Sequence, residues 1–134
     1  MNKVNLPEGQ KGKYIIEKFN VPEGTLEGLR LAMQGRGITP GDYTRLVRLG
    51  PYPYMNDTVM SDTPAEMSDH STALYHCLGF TEPENVLIGG LGIGMVLSNL
   101  AILEQVKHIH VLELEQDVVD LVWPTYKKKF GDKI

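Results

Sequence analysis

The segment Gly89-Gly90-Leu91-Gly92-Ile93-Gly94 restricts the fold of this chain more than any other. It lies between a short apolar run, Asn85-Val86-Leu87-Ile88, and a longer one, Met95 to Leu103. A short apolar run bounded by turn formers reads as a strand and a longer one as a helix, so the glycines mark a strand-to-helix turn. Glycine lets the backbone turn tightly there, and it lets a ligand approach main-chain atoms that a Cβ would block. The pattern then repeats: Ile109 to Leu114 reads as a second strand and Val118 onward as a second helix, which Pro124 is expected to break or kink. Strand, helix, strand, helix predicts a parallel pair with right-handed crossovers, the first strand buried on both faces.

Composition changes near residue 55, dividing the chain into residues 1–55 and 56–134. The first part, punctuated by Gly and Pro, predicts a small β-rich module. Lys13 to Val21 and Tyr43 to Leu49 are its strands, ended by Pro22-Glu23-Gly24 and by Pro51 and Pro53. Between them Leu26, Leu29 and Met33 fall at helical spacing, which suggests a short helix over Thr25 to Gln34. The second part opens on Thr63-Pro64-Ala65-Glu66, a capping box. A helix is expected from Pro64, with Met67, Leu74 and Leu78 on one face and Gly79 as its stop.

In the glycine segment Gly90, Gly92 and Gly94 form G-x-G-x-G, and Met95 takes the place of the last glycine of the dinucleotide fingerprint G-x-G-x-x-G. The spacing disfavours a nicotinamide dinucleotide and favours a smaller adenosine-containing ligand. Glu113, 19 residues after Gly94, ends the second strand, where a carboxylate can accept both hydroxyl protons of a ribose. Glu115 and Asp117 are read as groups that cap or favour the next helix N-terminus. Lys and Arg total 13 against 17 Asp and Glu, a net charge of −4, so no electrostatic case for nucleic acid arises. There is no apolar run long enough to cross a bilayer and no leader-like stretch at the start, and Cys77 stands alone, which points to a cytoplasmic protein. His108, His110 and the compact His76-Cys77 pair do not make a metal site, and no spacing names a nucleophile triad, so catalytic residues stay unassigned.

Val86 to Leu97 (VLIGGLGIGMVL) followed by His110 to Val122 (HVLELEQDVVDLV) resembles the glycine motif and acidic second-strand motif of class I S-adenosylmethionine-dependent methyltransferases. Within that superfamily it is most similar to the spermidine synthase-like branch, whose entry helix Met60 to His70 (MSDTPAEMSDH) also resembles. The resemblance implies an α/β chain: a β-rich N-terminal module, then the first βαβα part of a Rossmann-like fold, truncated where a third strand would begin near Phe130. It implies S-adenosylmethionine as cofactor, Gly89, Gly90, Gly92 and Gly94 beside its methionine part, and Glu113 on its ribose. Asp69 and His70 fall near an active-site Tyr-His pair of polyamine synthases. Gly92 stands where aminopropyltransferases carry an Asp, so methyl transfer to an unnamed acceptor is the first expectation and an aminopropyltransferase fragment an alternative. A non-catalytic nucleoside-binding or assembly module is another, with a second copy covering the sheet edge.

Overall fold

The structure is a computed structural model that describes residues 1–24, 29, 33, 39–80 and 82–134, at residue 80 the backbone only. It is mixed α/β, with a four-stranded antiparallel sheet and a two-stranded parallel sheet. The antiparallel sheet runs in the order β1 (Gly9–Lys11), β2 (Tyr14–Val21), β3 (Gly41–Arg48), β4 (Asp57–Ser61). After it come α1 (Pro64–Phe80), β5 (Asn85–Gly89), α2 (Met95–Ala101), β6 (His108–Leu112) and α3 (Gln116–Phe130). β5 and β6 pair in parallel from Asn85↔His108 to Gly89↔Leu112. The expected helix over Thr25 to Gln34 lies outside the described residues apart from Leu29 and Met33, whose side chains are exposed.

Alternation builds the antiparallel sheet. Tyr14 and Ile16 on β2 and Leu46 on β3 are buried, and Ile16 sits opposite Leu46 in the ladder. They join Val4, Leu6, Ile93, Met95, Leu97, Leu100, Ile109, Val118, Val122 and Tyr126 in one continuous core. Val118, Val122 and Tyr126 recur every four residues, so α3 turns a single stripe inward. The antiparallel sheet therefore takes in β4, beyond the composition change at residue 55, and its core is shared with the parallel pair.

Asp62, just past β4, ties the N-terminal segment to this core. It is almost fully buried, and its carboxylate accepts the Val4 amide at 3.1 Å and the Thr44 amide at 2.7 Å. Buried without those amides, the carboxylate would be costly, and with them it fixes where residues 1–6 lie.

Four expectations need correction. β5 is not buried on both faces: Val86 and Ile88 pack on the core, whereas on the other face Leu87, and Leu112 of β6, are about two-thirds exposed at 66% and 65%. Pro124 does not break α3, which runs on to Phe130 with this residue on the solvent side and Val122 and Tyr126 buried on the other. Residues after Phe130 form a 3₁₀ turn, Gly131–Lys133, instead of entering a strand. The Glu66 carboxylate reaches past Thr63 to Ser61, accepting its amide and its hydroxyl at 2.9 Å each. The start of α1 is thereby fastened to the end of β4.

Removing the Asp62 carboxylate strands two amides. Asp62→Ala is expected to lose about 3 kcal/mol in urea unfolding, and Asp62→Asn, which keeps one acceptor oxygen, about half of that. Equal, near-zero losses would show that residues 1–6 are not held this way.

Candidate functional site

β5 ends in the glycine turn, and three of its glycines adopt positive φ: Gly90 at 90°, Gly92 at 53° and Gly94 at 71°. Their surroundings differ. A Cβ on Gly94 would collide with the Tyr126 ring, and one on Gly92 would lie 2.6 Å from the Met60 Sδ. At Gly89 and Gly90 nothing stands within 4 Å. Gly92 and Gly94 thus let Met60 and Tyr126 pack directly on the backbone, while Gly89 and Gly90 leave main chain open to a ligand.

Tyr126 also holds the turn through its hydroxyl, which donates to the Ile93 carbonyl at 2.8 Å. Burial pushes its phenol up to about 12, opposed by a hydrogen bond with Ser98 and reinforced by the charge of Asp62, so it remains a donor at neutral pH. The turn closes with the Gly94 amide donating to Leu91 O at 2.8 Å, and the Gly90 amide reaches Leu112 O at 2.7 Å.

Glu113 joins the turn to the end of β6. Its carboxylate accepts the Leu91 amide at 2.7 Å on one oxygen and the Glu115 amide at 3.0 Å on the other. Partial burial alone would raise its pKa. The amides of Glu115, Leu91, Gly92 and Leu114 outweigh that and hold it below the ordinary glutamate range. The group is therefore ionised at neutral pH. Of these amides those of Leu91 and Glu115 lie at hydrogen-bonding distance, one on each oxygen, so acceptor positions remain on the carboxylate.

A cavity of about 340 Å³ opens beside this arrangement, a size suited to a small ligand. Gly89, Gly90, Gly92 and Glu113 line it, with His70 from α1 and Glu115 from the β6–α3 junction. Gly94 is packed under Tyr126, and Asp69 is exposed; neither lines the cavity. The opposite wall comes from the antiparallel sheet. Between Leu46↔Met60 and Val47↔Thr58 the β3–β4 register shifts, leaving Val59 as an extra residue on β4. Neighbours on a regular strand point to opposite faces, but Val59 and Met60 both line the cavity, as a bulge permits.

Met60, Val59 and Tyr126 carried no role in the sequence reading. The Val118, Val122, Tyr126 spacing could have placed Tyr126 on the buried face, whereas a bulge leaves no comparable mark in one sequence. Comparisons with protein-family models, with curated proteins and with solved structures find no match for the chain.

Two outcomes test this geometry. Gly94→Ala is expected to lose about 3 kcal/mol through strain and overlap with the Tyr126 ring, against about 1 kcal/mol for Gly90→Ala, where only the backbone strain applies. Equal losses would contradict the packing. A carboxylate with a lowered folded pKa contributes stability that is complete above the unfolded value, about 4.3, and is lost as pH falls through the folded value. The stability gap between the parent and Glu113→Gln, measured by urea unfolding against pH, should accordingly narrow below about pH 4; a constant gap would contradict the amide cage.

Proposed function

We propose that this chain binds S-adenosylmethionine through a Rossmann-like half-site and acts as a methyltransferase-like protein on an acceptor not yet identified. The observation that carries the reading is the Glu113 carboxylate, ionised and held at the end of β6, beside the open backbone of Gly89 and Gly90 and over one cavity. The donor set fits the group: free acceptor capacity on Glu113 suits a pair of ribose hydroxyls, and the unobstructed glycines admit a methionine chain against main-chain atoms. Glu113 and Glu115 give the cavity a negative charge that favours a cationic sulfonium.

When bound, the cofactor supplies an electrophilic methyl carbon on a positively charged sulfur. The chain's own contribution is positional. Glu113 would hold the ribose, the turn would hold the amino-acid part and Met60 would cover the facing side, leaving the methyl open to an acceptor nucleophile. Such a transfer depends more on alignment of nucleophile and methyl carbon than on strong proton chemistry.

Calorimetric titration with S-adenosylhomocysteine tests the assignment. One-to-one binding is expected, weakened about tenfold or more in Glu113→Ala. Absence of binding at millimolar ligand, or an unchanged affinity in the variant, would remove the cofactor from the account.

A further inference from the structure

The parallel sheet is covered on one face and bare on the other. Val86 and Ile88 of β5 and Ile109 and Val111 of β6 belong to the core, together with Leu97 and Leu100 of α2 and Val118 and Val122 of α3. The alternate residues are all exposed: Asn85, Leu87 and Gly89 on β5, and His108, His110 and Leu112 on β6. The ladder sets Asn85 beside His108, Leu87 beside His110 and Gly89 beside Leu112, so the six form one continuous surface. Its two leucines are 66% and 65% exposed.

Parallel sheets occur almost only with both faces covered. Among the described residues nothing covers this second face. Its composition selects the occupant. Although 22% of the chain is charged, none of the six residues is Asp, Glu, Lys or Arg. A twofold contact brings a patch against the same patch on another copy, so it admits only groups that are compatible with themselves. Leucine packs on leucine, and asparagine and neutral imidazole each both donate and accept hydrogen bonds. A lysine or an aspartate here would meet its own charge. A partner charged to complement this acidic chain would find nothing on the face to pair with. Six residues of this size and exposure present on the order of 500 Å² per copy, about 1,000 Å² over two, which is the lower bound of a specific interface and the range of a weak, reversible one.

We propose that the bare face of β5 and β6 packs on the same face of a second copy of this chain, forming a twofold dimer. Leu87 and Leu112 of each copy interdigitate between the two sheets, and Asn85, His108 and His110 supply hydrogen bonds across the contact. The proposal does not rest on what occupies the glycine turn's cavity, which Leu87 and Leu112 do not line.

Sedimentation equilibrium of the full chain from about 1 μM to 1 mM is expected to show a reversible monomer–dimer equilibrium with a Kd of about 10–100 μM. Leu87→Lys and Leu112→Lys, at positions already open to water, should each raise that Kd about tenfold or more. Tyr54→Lys, at an exposed position on the β3–β4 connection, should leave it unchanged. A second measurement needs no variant: in the parent chain the Leu87 and Leu112 methyl groups should become shielded from a soluble paramagnetic probe as concentration rises. A parent chain that stays monomeric at millimolar concentration, its bare face then left to a different partner, would overturn the proposal. So would an assembly larger than a dimer, no effect of either leucine substitution, an equal effect of Tyr54→Lys, or leucine methyl groups still open to the probe in the dimer.

Discussion

A carboxylate held by backbone amides organises the candidate site. Glu113 takes the Leu91 amide from the glycine turn and the Glu115 amide from its own side, so one side chain joins the end of β5 to the end of β6. A two-stranded parallel sheet has little cooperativity by itself. Here the cross-connection is made at the strand ends, where the ladder would otherwise fray, and the Gly90–Leu112 bond continues it. The same amides keep Glu113 ionised despite its partial burial, so the interaction that fixes the turn also prepares its electrostatics.

Packing completes what the carboxylate begins. Met60 and Tyr126 press on Gly92 and Gly94 from two directions, one from the antiparallel sheet and one from α3. The turn is thus clamped on two sides and open at Gly89 and Gly90. The two halves of the chain are in this sense one device. The bulge at Val59 aims two consecutive residues of the first sheet at the cavity, and Asp62 and Glu66, a few positions later, fasten that strand to the N-terminus and to α1.

Much of the second half was legible because several local signals coincide there. Glycines between two apolar runs, a carboxylate at the next strand end and helical spacing afterwards leave few alternatives, and β5, α2, β6 and α3 fall within a few residues of the expected positions. The first half was legible only as strands β2 and β3. β1 is a three-residue exposed strand, and β4 carries a bulge, so neither shows a clean alternation. Burial was misjudged for β5 because an apolar run such as Val86-Leu87-Ile88 reads the same whether one face or both are covered. Here Leu87 remains largely exposed. In the candidate site, spacing placed Glu113 at the end of the second strand and the four glycines in the turn before α2, without separating the open ones from the packed ones. The distinct duties of Gly92 and Gly94 were not legible, since they depend on Met60 and Tyr126, distant in sequence.

The proposed role of the glycine turn's open edge and the Glu113 carboxylate is to receive one nucleoside together. Mapping backbone amide shifts of the uniformly labelled chain during addition of S-adenosylhomocysteine addresses it most directly. Saturating shifts confined to Gly89, Gly90, Leu91, Glu113 and their cavity neighbours Met60 and His70 are expected. Shifts absent at millimolar ligand, or centred on residues away from this turn, would contradict it.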